Sequence, residues 1–249
     1  MGNAKNNWFS ENAANMDFLT TYERAEKSGP RHIPQKHSGI LQKFRDTAIK
    51  NGLQLTSENG QLSKDGLDFI YTAQINPEGM MVNGVADYCF TIGFRNYNDR
   101  RIAFHGMFGS HVFVCTNGCC SNIIFPSKQR HVIEDDSVFQ GKINTVFAAF
   151  PKFAEELSGN IEKLKNTECD DQFLGAFLVK QLREKTFNPK IADLVLKEYD
   201  KPQLNSNRDT STWRLANAVS YVTTHAMDCD WSRRTEIGRR AFNSLVKMV

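Results

Sequence analysis

The sequence contains no apolar run that approaches the roughly 18 residues needed to cross a membrane. Its first segment, MGNAKNNWFSENAANMDFLT, holds no apolar core of the signal-peptide type. A large charge excess is missing too, because 31 Lys and Arg residues face 28 Asp and Glu residues, for a formal net charge of +3. These absences predict a cytoplasmic protein with no membrane partner. They argue against a polycationic nucleic-acid binder, while allowing a local basic face.

The motifs of several common enzyme classes are also absent. The sequence has no glycine-rich loop for phosphates and no zinc-protease helix. It has no nucleophile elbow and no pair of carboxylates suited to acid–base work. The sequence therefore leaves an enzymatic activity open but favours a non-enzymatic protein without a cofactor.

Cysteine is not scarce, since the chain has six, and three of them are Cys115, Cys119 and Cys120. Their spacing lacks the second pair of ligands that a structural zinc site normally has. Successive side chains of a strand point to opposite faces, so Cys119 and Cys120 would not both face one metal ion. We expect free thiols, reduced in a cytosol, and neither a metal site nor a catalytic centre. The alternative is a metal site that a histidine such as His131 completes.

Residues 53–133 have the composition of short strands joined by turns. The segments LDFIYTAQI and VADYCFTIGFR are rich in aromatic and β-branched residues. Asn59-Gly60 lies between two alternating runs, which predicts a hairpin. The segment SNIIFP is expected to end at Pro126, and residues 96–99 to form a turn. Short strands linked by tight turns predict an antiparallel sheet.

Residues 138–249 change to a helical period. Pro151 is expected to kink or divide a long helix there, because proline lacks the backbone N–H that a helix interior needs. Asn188 followed by Pro189 is typical of a helix start, and two further helices are predicted in TSTWRLANAVSYVTTHAM and SRRTEIGRRAFNSLVKM. The apolar residues on one face of the long helix are Ile143, Val146, Phe147, Phe150, Phe153, Ala154, Leu157, Ile161 and Leu164.

The predicted fold class is α+β, with the antiparallel sheet packed against the C-terminal helices. We expect an N-terminal leader of short helices at residues 1–47 and a single α+β domain at residues 48–249. In that domain the β-rich part covers 53–133 and the helical part 138–249. The alternative is a β domain and a separate helical domain, divided near residue 137.

Two groups of basic residues are the candidate binding sites. The first is the turn RNYNDRR, whose arginines suit phosphate and whose tyrosine suits stacking on a base. Its Asn and Asp residues are equally explained as turn formers. The second is the helix WSRRTEIGRR, for which a solvated charged face is the alternative. The candidate residues for binding nucleic acid or a protein partner are Arg95, Tyr97, Asn98, Arg100, Arg101, Arg233, Arg234, Arg239 and Arg240.

Four segments in a fixed order resemble a known family. They are RHIPQKH, then FTIGFRNYNDRRIAF, then GSHVFVCTNGCCSNIIFPSKQRH, then STWRLANAVSYVTTHA. Together they resemble the phage- and plasmid-borne family catalogued as domain of unknown function 932. Tyr97-Asn98-Asp99 stands where that family has Ser-His-Asp, and Thr116-Asn117 where it has Asp-Asn. The resemblance implies a bacteriophage or plasmid origin and a place in the host cytoplasm, and it implies no activity.

The residues and the resemblance together favour a mobile-element protein that associates with nucleic acid. Single-strand binding during replication, recombination or protection fits the basic residues and the aromatic side chain among them. The alternative is an anti-defence protein that binds and inhibits a host defence or regulatory protein. A homo-oligomer is compatible with both functions.

Overall fold

The computed structural model describes residues 16–22, 33–63, 65–77, 88–98, 104–112, 121–129, 136–202, 210–227 and 231–249. Within these residues the chain forms seven α-helices, five strands and one π-helical turn. In chain order the elements are α1 (Met16–Thr21), α2 (His37–Lys50), β1 (Leu53–Leu62), β2 (Asp68–Pro77), β3 (Tyr88–Tyr97), β4 (Phe104–Val112), β5 (Ser121–Gln129), α3 (Asp136–Asn166), α4 (Asp171–Arg183), α5 (Pro189–Asp200), α6 (Thr212–Tyr221), the π turn (Val222–Ala226) and α7 (Trp231–Val246).

The five strands form one sheet in the order β1-β2-β3-β4-β5, so each strand pairs with its neighbours in the chain. The β1–β2 pair is antiparallel, with Leu62 opposite Phe69. The β2–β3 pair is antiparallel as well, with Ile75 opposite Phe90. This order needs only short connections, which is what frequent turn signals in the sequence predict. The predicted α+β fold with a central antiparallel sheet is confirmed.

Contacts divide the chain into two compact units. The first consists of Met1–Phe108 with Ile124–Pro151, and the second of Gly109–Ile123 with Lys152–Val249. The predicted boundary between residues 47 and 48 falls inside α2, which belongs to the first unit together with the sheet. A leader at 1–47 and a single domain at 48–249 stay predictions.

Aromatic side chains make the core of the first unit. Phe44 of α2 contacts Tyr71 and Phe94 of the sheet, with ring centroids 5.8 and 5.1 Å away, and Phe147 of α3 at 4.8 Å. Alternation along β3 brings Phe94 to the face that these helices cover. Further ring contacts between α3 and the strands join Phe139 to Phe104, and Phe150 to Phe90 and Phe108. The abundant phenylalanines therefore hold both helices onto the sheet.

Helices supply most of the described core of the second unit, and the starts of α4 and α5 follow capping rules. Asp170 caps α4 by accepting a hydrogen bond from the backbone N–H of Phe173 at 2.7 Å. Asn188 caps α5 in the same way through Ile191 at 2.8 Å, and Pro189 is the first helical residue. Each cap satisfies a backbone donor that a helix start leaves unpaired. The predicted start of α5 is confirmed.

Two local predictions prove wrong. Asn59 and Gly60 do not turn the chain, because they lie within β1 opposite Thr72 and Tyr71. Gly60 is needed for packing instead, since a Cβ there would overlap Leu19 of α1. The last strand continues past Pro126 to Gln129, as an edge position allows. The long helix α3 continues through Pro151 and is not divided by it, while the alternative of a kink stays a prediction.

None of the helices among the described residues combines the length and the apolar character needed to cross a membrane.

Candidate nucleic-acid interface

The apolar positions of α7 place Arg239 and Arg240 on the opposite side of the helix, whereas Arg234, three residues before Ile237, lies on the apolar side. Ile237, Ala241, Phe242 and Leu245 are buried and follow helical spacing. Of the predicted arginines, Arg233 and Arg240 are exposed, whereas Arg234 and Arg239 are half-buried. The amphipathic pattern of α7 therefore leads directly to a basic face.

Glu236 lies among these arginines and organises two of them. Arg239 donates two hydrogen bonds to its carboxylate, both 2.9 Å long, and Arg240 donates a third of 2.7 Å. Burial alone would raise the pKa of Glu236, but the bonds from Arg240 and Arg239 outweigh it and hold that pKa below its usual value. Glu236 is therefore ionised at neutral pH and fixes two guanidinium groups. Four arginines against one carboxylate leave α7 with a charge of +3.

The π turn adjoins this basic face. Arg234 donates a 3.0 Å hydrogen bond to the backbone oxygen of Thr224. Next in the chain is His225, which is exposed, and its ring lies 4.7 Å from the ring of Tyr221. Thr223 supports the turn by donating to the backbone oxygens of Val219 and Ser220. Single π-helical turns inserted into helices are frequent at functional sites.

Tyr221 and His225 are residues that the sequence reasoning missed. They stand four apart in YVTTH, on the same side of a helix, and this spacing was the available signal. The candidate interface is therefore defined as Arg233, Arg234, Arg239 and Arg240 with Tyr221 and His225.

The other predicted group, around the turn RNYNDRR, is used inside the first unit. Arg95 pairs with Asp68 through two hydrogen bonds of 2.8 and 2.5 Å, and its side chain is only 12% exposed. Its guanidinium also lies over the ring of Tyr97, 5.6 Å from the centroid, and Tyr97 is itself buried. Asn98 is buried too. Arg100 and Arg101 lie outside the described residues.

Two asparagines at the end of β3 fasten the segment before α2. The Asn98 side chain accepts a 3.1 Å hydrogen bond from the backbone N–H of Gln35 and donates one of 2.8 Å to its carbonyl oxygen. Asn96 donates to the same oxygen at 3.2 Å and to Nδ1 of His37 at 2.8 Å. Because Nδ1 accepts, the ring proton lies on Nε2, 3.1 Å from the carbonyl oxygen of Gly66. The segments RHIPQKH and RNYNDRR, which are distant in sequence, thus meet in a buried polar cluster.

A second polar cluster joins β1 to α2. Glu58 accepts hydrogen bonds from Arg45 at 2.7 Å and from the hydroxyl of Tyr71 at 2.5 Å. The β1–β2 register shifts between Thr56 and Asn59, and Ser57 within that bulge has a φ of 47°. An extra residue in a strand redirects the side chain that follows it. The bulge therefore turns Glu58 toward its two donors, and this cluster is fully explained by the fold.

The metal candidates Cys115, Cys119, Cys120 and His131 lie outside the described residues. In the part of the chain that the structure describes, no three side chains of the His, Cys, Asp or Glu type are placed to hold a metal ion. Two cysteines described there are outside any disulfide: Cys89, which is half-buried, and Cys169, which is buried. Free thiols and the absence of metal at the cysteine cluster stay predictions.

No protein-family model, curated protein or solved structure matches the chain significantly. The resemblance to the phage and plasmid family therefore stays a prediction from the four segments.

Proposed function

We propose that the protein associates with single-stranded nucleic acid through α7 and the π turn, as part of a phage or other mobile element in a host cytoplasm. The single observation that carries the proposal is the placement of charge. The helix α7 holds four of the chain's 31 basic residues and one of its 28 acidic residues, which leaves 27 of each elsewhere. The charge of this one helix thus equals the net charge of the chain, and the helix lies next to the half-buried Tyr221 and the exposed His225.

The two kinds of side chain have separate roles in this proposal. Arginines neutralise phosphates and release their counterions, which gives affinity without sequence preference. Tyr221 and His225 offer rings on which bases stack, and stacking suits single strands because their bases are accessible. Glu236 keeps Arg239 and Arg240 extended and ordered, so less side-chain entropy is lost when they meet a phosphate.

Arg95, Tyr97 and Asn98 are engaged inside the first unit. We therefore expect α7, and not the segment RNYNDRR, to contact the nucleic acid. Arg95 would have to give up its ion pair with Asp68 before its guanidinium could bind a phosphate. Breaking a partly buried ion pair costs more than using exposed arginines. The turn is therefore proposed to support the fold, with α7 as the main contact.

The test is a binding titration with labelled oligonucleotides at low salt, using single-stranded DNA, single-stranded RNA and duplex DNA. We expect binding that favours single strands. The double variant Arg233→Glu/Arg240→Glu should weaken it by at least about tenfold, because two phosphate contacts become repulsive. His225→Ala should weaken it by about fivefold or more through lost stacking.

The matched control is Lys163→Glu/Lys190→Glu, which changes the net charge equally at two exposed positions of other helices, α3 and α5. It should bind within about twofold of the unchanged protein, because exposed charges beyond a Debye length of roughly 8 Å are screened. An equal loss in both double variants would show that only overall charge matters and would refute the α7 site.

Absence of any binding at low salt would favour the second hypothesis, inhibition of a host protein. The discriminating measurement is then capture of partners from nuclease-treated host lysate. A stoichiometric protein that persists after nuclease treatment supports that hypothesis, and loss of all partners supports association with nucleic acid.

A further inference from the structure

The helix α4 carries apolar residues on the side that faces away from its own core. Its buried side consists of Leu174, Phe177 and Gln181. On the other side Val179 is 46% exposed and Leu182 37% exposed. Isolated exposed apolar residues are ordinary, but these two follow Gly175 at helical spacing and so form a continuous row. We call Gly175, Ala176, Val179 and Leu182 the α4 face.

Gly175 gives the α4 face a hollow beside its largest residues. A Cβ built on Gly175 would meet no atom within 4 Å among the described residues. A glycine in a helix interior costs about 0.5–1 kcal/mol relative to alanine, and nothing in the second unit needs the missing side chain. The hollow lies one turn from Val179, so a second α4 in the opposite direction would place each valine over the other copy's glycine. Such reciprocal contact is the pattern of a two-fold interface.

The charges at the two ends of α4 select that direction. Before and at its start lie Glu168, Asp170 and Asp171, all exposed. In and after its last turn lie Lys180, Arg183, Glu184 and Lys185, with a net charge of +2. Two copies side by side in opposite directions bring the acidic end of each over the basic end of the other. The helix dipoles of the two copies are then antiparallel as well, which is favourable.

We propose that the α4 face is a self-association surface, on which a second copy of this chain packs its own α4 in the antiparallel direction. The proposal is independent of nucleic-acid binding. A helix of 13 residues is about 20 Å long, too short for a pair to bury the roughly 1,600 Å² of a standard interface. The association is therefore weak and depends on protein concentration.

The test is sedimentation of the full chain from about 10 µM to about 1 mM, a range that covers weak dimers. The unchanged protein should move from monomer toward dimer across that range. Val179→Glu should stay monomeric at every concentration with an unchanged melting temperature, because the residue is exposed in the monomer. A clear fall in the melting temperature would mean that another part of the same chain covers the α4 face, and would overturn the proposal.

Charge exchange tests the direction of packing. Asp171→Lys and Arg183→Glu should each weaken self-association at least about fivefold, since like charges then meet at both ends. An equimolar mixture of the two variants should restore association to within about twofold of the unchanged protein, because each basic end again meets an acidic one. The controls Glu162→Lys and Lys190→Glu, at exposed positions outside α4, should change nothing. A monomer at 1 mM, or a mixture that fails to recover, would refute the antiparallel dimer.

Discussion

Asn98 shows how a single amide can replace a stretch of regular pairing. Its side chain both donates to and accepts from the backbone of Gln35, as a neighbouring strand would. Asn96 uses both of its donor hydrogens, on Gln35 and His37, but its Oδ1 is buried and has no hydrogen-bond partner among the described residues. A buried acceptor without a partner costs about 1–3 kcal/mol. The two donors of Asn96 offset this cost, and the cluster as a whole orders the chain before α2.

Asn98→Ala is expected to lower the free energy of unfolding by about 2–4 kcal/mol. The substitution leaves the N–H of Gln35 without its acceptor, and it also leaves a gap in a buried site. Urea denaturation followed by circular dichroism measures the change. The control Asn243→Ala, at an exposed position of α7, should stay within about 0.5 kcal/mol. A loss at Asn98 no larger than in the control would show that the amide contacts do not stabilise the fold.

Tyr71→Phe is expected to change how stability depends on alkaline pH. Burial, with the hydrogen bond to Glu58 and its negative charge, raises the pKa of Tyr71 well above its usual value of 10.0. A raised pKa means that stability is complete below about pH 10 and is lost as the pH rises further, because only the unfolded chain ionises this tyrosine readily. At neutral pH the free energy of unfolding of the variant should be about 1–2 kcal/mol lower, because the hydrogen bond to Glu58 is lost.

Urea unfolding between about pH 7 and pH 11 checks this prediction. The free energy of unfolding of the variant should fall less steeply above pH 10 than that of the unchanged protein. Parallel curves in this range would contradict the assignment of alkaline sensitivity to Tyr71.

At the scale of elements, Gly106 sets the distance between β4 and α3. A Cβ on Gly106 would overlap Cγ2 of Val146, a β-branched side chain that has few alternative rotamers. Gly106→Ala should therefore lower the free energy of unfolding by about 1–3 kcal/mol, the usual cost of overpacking a core. The double variant Gly106→Ala/Val146→Ala should recover part of that loss, which thermal melts of the single and double variants measure.

The matched control is Gly159→Ala in α3, where an added Cβ meets nothing within 4 Å among the described residues. This substitution should stabilise by about 0.5–1 kcal/mol, because alanine favours the helix. A similar effect of both alanines would mean that β4 and α3 do not pack as closely as described.

The elements that sequence predicts well are those with a strong local signal. The nine apolar positions of α3 are all buried, as their 3.6-residue spacing predicts. Asn188-Pro189 starts α5 because both residues act on the neighbouring backbone alone. Asn59-Gly60 fails as a hairpin because the demand on Gly60 comes from Leu19, about forty residues earlier. Local periodicity does not predict contacts between segments that are distant in sequence.

The same distinction applies to the candidate site of the whole molecule. The sequence predicts the arginines of α7 from composition and spacing, and the amphipathic helix leaves Arg233 and Arg240 exposed. The burial of Asn98 was not predictable, because its partner Gln35 lies 63 residues earlier in the chain. The π turn follows α6 directly, and no local residue pattern identifies it. The sequence thus predicts the position of the charged helix better than it predicts the buried polar contacts.

The dependence of binding on salt tests the central proposal most directly. For single strands the logarithm of the binding constant falls with the logarithm of the salt concentration by about 0.7 per neutralised phosphate. Titrations at several salt concentrations should therefore give a steep slope for the unchanged protein. The salt slope measured for Arg233→Gln/Arg240→Gln should be shallower by about 1.4, because this variant neutralises two phosphates fewer. A flat dependence, or the same slope in both proteins, would contradict association with nucleic acid through α7.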